Sequence, residues 1–143
     1  MLTFAEILAF VEEYVTQIFA TSASPGFTWG RSGSTPAGTW LQNDTVPSNK
    51  SGRTVFLANA LVKKVFIANE DAVILSVDVY YHDGNEVSLT LAGTVTTTAV
   101  RTSEFDVSYS IPKGKQLALK LSDTSASGAK NIVAGVLISG NLV

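Results

Sequence analysis

The sequence predicts an all-β protein: an antiparallel β-sandwich, jelly-roll-like and of about eight strands, behind a short N-terminal α-helix. Three observations predict it. From residue 73 onward, run after run places an apolar residue at every second position, the period of a strand with one buried face. Gly, Asn, Asp and Pro punctuate these runs at short spacing, which marks a sandwich or barrel. Ahead of them the first 20 residues follow a helical period instead.

The helix is expected over 1–20. Thr3 and Glu6 have the spacing of a capping box, in which hydroxyl and carboxylate each satisfy an amide left open at a helix start. Phe4, Leu8, Val11, Val15 and Ile18 then recur at steps of four and three and form a seam for oligomerisation or anchoring, which Ile7 and Tyr14 widen. Phe10 and Phe19 lie off the seam, so the helix has more apolar surface than one sheet would cover. A helix this short draws its stability from packing. Packing against copies of itself is the favoured reading; folding back on its own sandwich and insertion into a larger assembly are the alternatives. No Lys or Arg precedes Arg31, and Glu6, Glu12 and Glu13 interrupt the apolar stretch, which argues against a signal peptide and against a spanning helix. The segment is expected to be soluble and retained, with no membrane partner.

Residues 21–38 are rich in Ser, Gly, Thr and Pro and read as a linker, with the sandwich domain at 39–143. Thr39 to Leu41, Arg53 to Ala58 and Leu61 to Ala68 read as strands. Val73, Leu75, Val77, Val79 and Tyr81 point inward along the next, and His82-Asp83-Gly84-Asn85 supplies a tight hairpin turn. The return strand is expected to turn Val87, Leu89 and Leu91 inward. Phe105, Val107, Tyr109 and Ile111 alternate inward along a further strand, and Leu117, Leu119 and Leu121 along its successor. Pro112-Lys113-Gly114 between them is expected to close a second hairpin. The last segment, from Asn131, is apolar on both faces and is expected to be central or to lie against another subunit. An immunoglobulin-like sandwich is the competing architecture, but the Cys…Trp…Cys pattern is missing.

Composition narrows function. Among 143 residues, 45% are hydrophobic and 15% charged, so the surface is built from Ser, Thr, Asn and Gly or is covered by other subunits. A formal charge of -2 without a basic run makes nucleic acid an unsuitable partner. The absence of cysteine removes thiol catalysis, Cys-ligated zinc and disulfides. His82 is the sole histidine, and no Ser/His/Asp triad or two-histidine metal site can be built without it. Carboxylate pairs for glycoside hydrolysis would have to come from Asp44, Asp71, Asp78, Glu86, Glu104 or Asp106, most of them in the outward phase of strands where they solvate the surface. Asn43, Asp44, Asp83 and Asn85 offer oxygen ligands without a calcium-loop spacing. Gly30 to Gly33 lacks the strand–loop–helix context of a phosphate cradle. No catalytic residue, cofactor or metal is expected. Trp29, Trp40, Tyr80 and His82 are the candidates for a ligand or partner surface, and aromatics of this kind stack sugars as readily as they fill interfaces.

The short helix, the Ser/Gly/Pro stretch and a cysteine-free, low-charge sandwich, with Gly38-Thr39-Trp40-Leu41 through Val46-Pro47-Ser48-Asn49 and Gly52-Arg53-Thr54-Val55, resemble the small virion-surface proteins of tailed bacteriophages. These are head decoration (cement) proteins, head fibres and short-fibre knobs. The resemblance spans the architecture of the whole chain. It implies a homotrimer on the virion surface, with the major capsid protein or another virion component as partner and the N-terminal helix contacting symmetry mates or the capsid. A carbohydrate- or receptor-binding sandwich module, such as a fibre tip, is the alternative.

Overall fold

A computed structural model describes residues 3–9, 26–42, 59–84 and 88–140. Residues 4–9 form helix α1. The strands are β1 (Gly26–Gly30), β2 (Ser34–Thr35), β3 (Thr39–Trp40), β4 (Ala60–Val73), β5 (Leu75–His82), β6 (Thr90–Thr96), β7 (Val100–Ile111), β8 (Gln116–Thr124), β9 (Ala129–Lys130) and β10 (Val133–Gly140).

Pairing is antiparallel throughout and nested: β1 with β10, β2 with β9, β3 with β8, β4 with β7 and β5 with β6. The chain is thus one long hairpin, and two further pairings, β10 with β4 and β8 with β5, roll it up. The products are two four-stranded sheets, β1-β10-β4-β7 and β3-β8-β5-β6, with β2-β9 as a small ribbon. This is the jelly roll that the alternation predicts.

The inward phase of each strand builds the core. Val62, Val65 and Ile67 of β4 and Ala134, Val136 and Ile138 of β10 meet Leu75, Val77 and Val79 of β5 and Leu117, Leu119 and Leu121 of β8, all buried. Each Val, Leu or Ile among them contributes about 1.5–3 kcal/mol of transfer free energy. The apolar C-terminal strand is central, between β1 and β4, as its two-sided pattern requires.

Four expectations need correction. Residues 26–30 are a strand rather than linker: β1 pairs five residues with β10 and sends Trp29 into the core, so the sandwich begins at Gly26 and not at Thr39. The strands flanking Pro112-Lys113-Gly114 are not a hairpin, because β7 pairs with β4 and β8 with β5 and β3. A turn there, closed by Lys115 N donating to Pro112 O at 3.3 Å, carries the chain between sheets, and the alternation is the same whichever sheet a strand joins. The connection after β5 is longer than a tight turn, since the last ladder pair is Tyr81 with Thr90. Leu91 faces solvent, because a bulge between Val79 and Tyr80 reverses the phase of β6. Arg53 to Ala58, Asn85 and Val87 lie outside the described residues.

Candidate functional site

The first candidate is the helix. Glu6 N donates to Thr3 Oγ1 at 3.2 Å and Ile7 N to Thr3 O at 3.1 Å, so the capping predicted from Thr3 and Glu6 starts α1. Every residue from 3 to 9 is exposed. Phe4 is 81% exposed, Ile7 48% and Leu8 46%, at the i, i+3, i+4 spacing of one helix face. Val11, Val15 and Ile18, the rest of the predicted seam, lie outside the described residues.

The second candidate, the aromatic surface, divides in two. Trp29 and His82 are each only 1% exposed, so neither can offer a surface. Trp29 sits in the inward phase of β1, and among the described residues its Nε1 has no hydrogen-bond partner. His82 closes β5 with Nδ1 accepting from Gly84 N at 3.1 Å, which ties the imidazole to the turn rather than to a cleft. Trp40 and Tyr80 do meet, on the outer face of the β3-β8-β5-β6 sheet. Their rings lie 5.1 Å apart at 56°, and Tyr80 spans the position of Ala118, its cross-strand neighbour, to reach Trp40.

Register explains this grouping. Trp40 pairs with Lys120, Lys120 with Asp78 and Asp78 with Thr94, one row across four strands. Lys120 Nζ stands 5.3 Å from the Trp40 ring centroid, a cation–π geometry. Asp78 accepts from Tyr80 Oη at 3.2 Å and from Thr94 Oγ1 at 2.7 Å. Burial, then the Asp78 charge, then the hydrogen bond to it, push the Tyr80 phenol above its ordinary value. Arg31 Nε donates to Trp40 O at 3.0 Å and ties β3 to the end of β1.

No protein-family model and no curated protein matches the chain.

The carboxylates weighed for hydrolysis do not converge on a cleft among the described residues. Glu104 and Asp106 lie on the open outer face of β7, where Lys64 Nζ reaches them at 2.7 and 3.5 Å. The Glu104 hydrogen bond first, and then the two negative charges, hold the Lys64 ammonium above its ordinary value. Asp83 is 4.0 Å from Lys115 Nζ. Glu86, Asp44, Asn43 and Asn85 lie outside the described residues. Among the described residues no group of three His, Asp or Glu could hold a metal ion, and no helix is long and apolar enough to cross a membrane. A hollow of about 640 Å³ between the ends of β4, β7 and β10 presents Lys63, Asn59, Ser110 and Ser139.

A third surface was only partly legible in the sequence. On the outer face of the β1-β10-β4-β7 sheet, Val133, Leu137, Phe66 and Ala68 cluster beside the glycines of β1. An added Cβ at Gly135 would lie 2.1 Å from Phe66 Cζ, so the ring rests on the glycine of the neighbouring strand. The two-sided apolar pattern of residues 131–143 was the signal for this face; that Phe66 joins it follows only from register.

Proposed function

We propose that this chain is a non-enzymatic structural protein of a virion surface: a homotrimer of jelly rolls that attaches to a phage capsid, as decoration or head fibre, through its N-terminal helix. The observation that carries this reading is the helix. Among the described residues the core is built by the strands with none of residues 3–9 in it, and Phe4, Ile7 and Leu8 are exposed. A helix of this length gains nothing from such a face unless another chain covers it. The fold lends support by analogy, since jelly rolls recur in viral coat proteins and in lectins. Low charge and a Ser/Thr-rich surface suit a particle that packs against copies of itself.

The action is mechanical. A trimer that bridges neighbouring capsid subunits buries apolar area worth about 25 cal/mol per Å² and stabilises only the assembled shell, so it raises the resistance of that shell to expansion by mass action. Replacing Leu8 and Val15 together with Asp tests this. The double variant is expected to keep its sandwich, with an unchanged far-ultraviolet spectrum from the strands, and to lose trimer formation and capsid attachment. Retention of both would remove the helix from this role.

A second reading is favoured by the meeting of Trp40 and Tyr80 beside Asp78, which pairs an aromatic surface with a hydroxyl acceptor, as in saccharide sites. Because Trp29 is buried, a glycan that shifts tryptophan fluorescence would report on Trp40. Against it, Lys120 already stands over the Trp40 ring. No change across a glycan panel would leave the structural reading alone.

A further inference from the structure

We infer that the N-terminal helix of one copy docks on the outer face of the β1-β10-β4-β7 sheet of a neighbouring copy, so that two uncovered apolar surfaces are halves of one contact. The inference rests on the assembly reading above and names the surface which that reading leaves open.

Charge is distributed unevenly over this face. Neither β1 (GFTWG) nor β10 (VAGVLISG) contains a charged residue. Reading across the register, the outward rows are Gly26–Leu137–Lys64–Asp106, Thr28–Gly135–Phe66–Glu104 and Gly30–Val133–Ala68–Thr102. The charges all fall on β4 and β7, where Lys64, Glu104 and Asp106 satisfy one another. The β1–β10 half is uncharged, and Val133 is 41% exposed upon it. Its relief is uneven as well. A hollow of about 300 Å³ lies beside Thr28, Gly30, Arg31, Gln42 and Val133, and another of about 460 Å³ beside Phe66, Ala68, Thr102 and Glu104. Val133 and Phe66 border these hollows, and the charged residues at their margins are already partnered, Arg31 by Trp40 O and Glu104 by Lys64, a relief that accepts apolar knobs from a helix.

The helix supplies such knobs. Phe4, Ile7 and Leu8 share one side, and at 100° per residue Glu6 falls on the opposite side, where it stays in solvent when the apolar side is buried. Neither partner therefore brings an unpaired charge into the contact, which would cost several kcal/mol. Connectivity points the same way. The chain enters the sandwich at Gly26, on the rim of this face, and Gly26 lies against Leu137, with an added Cβ 3.3 Å from Leu137 Cδ2. The proposed acceptor face therefore borders the point at which the N-terminal part of the chain joins the sandwich. Within one chain residues 3–9 are exposed, so the acceptor is a second copy.

The sequence has no cysteine, which makes the test direct. Full-length Leu8→Cys and Val133→Cys variants, carrying tags of different size, are refolded together and oxidised. A mixed disulfide-linked dimer on a non-reducing gel is the expected product. Cross-linking of Leu8→Cys only to itself would overturn this contact in favour of a helix bundle, while leaving the assembly reading intact. Absence of any cross-link in a protein that is still trimeric by mass would also overturn it, and a monomeric mass would instead overturn the assembly reading. Val133→Arg gives an independent readout, since the residue is exposed and its loss spares the core. It is expected to raise the concentration at which the oligomer half-dissociates by about tenfold or more, as for a central interface residue. An unchanged oligomer would contradict the inference.

Discussion

An added methyl at Gly93 would fall 2.2 Å from Tyr109 Cζ, and one at Gly135 would fall 2.1 Å from Phe66 Cζ. The two clashes are nearly equal in distance and unequal in consequence. Gly93 pairs with buried Val79, and the half-buried Tyr109 ring crosses from β7 to pack on it at the edge of the sandwich, where moving it loosens its packing against the core. Phe66 lies on the outer face and can swing toward solvent. Gly93→Ala is therefore expected to cost about 1–3 kcal/mol, the range for overpacking, and Gly135→Ala distinctly less. Urea unfolding of the two variants compares them, and equal losses would show that the Phe66 ring is not free to move. Burial also raises the Tyr109 phenol above its ordinary value, and Tyr80 and Lys64 are shifted the same way. Each group holds its proton more tightly folded than unfolded. Above about pH 10 the unfolded chain binds fewer protons, so the stability these groups contribute is complete below that pH and falls as pH climbs through their folded values. Thermal unfolding between pH 8 and 11 is expected to show that decline, and to show less of it in Tyr109→Phe. A midpoint that rose over this range would contradict the sign.

At the level of elements, local pattern and tertiary partner part company. The strands with strict alternation were legible: Leu75, Val77 and Val79 on β5, Leu117, Leu119 and Leu121 on β8, and the outward Glu104 and Asp106 of β7 all fall in the expected phase. Partner choice was not, because a turn such as Pro112-Lys113-Gly114 joins neighbours in one sheet or crosses to the other with the same residues. The bulge that exposes Leu91 has no local signature, and β1 was hidden because Gly26 and Gly30 resemble linker glycines until Trp29 is seen to be buried. The candidate surface followed the same rule. Trp40 and Tyr80 come together only through the register of β3, β8 and β5, whereas Trp29 and His82, equally prominent in the sequence, are claimed by the core. The start of α1 was legible because capping is local. Thr3→Ala removes the acceptor of the Glu6 amide and is expected to cost the helix about 1 kcal/mol, lowering helical content and weakening assembly with no change in the unfolding of the isolated sandwich signal. Unaltered assembly would mean that the helix is held by its contacts rather than by its cap.

For the whole molecule, a jelly roll whose described strands build the core carries an exposed apolar helix face at one end and, where that end joins the sandwich, a sheet face whose β1 and β10 strands contain no charged residue. Each alone is an aggregation hazard, and under the proposed reading the two cover one another in a closed, symmetric assembly. A virion-surface trimer accounts for both. The measurement that tests this most directly is the solution mass by light scattering of the full chain and of a chain lacking residues 1–23. The account predicts a trimer for the first and a folded monomer for the second. A full-length monomer would contradict it, and a truncated chain that remained trimeric would place the interface on the sandwich alone and deny the helix its part.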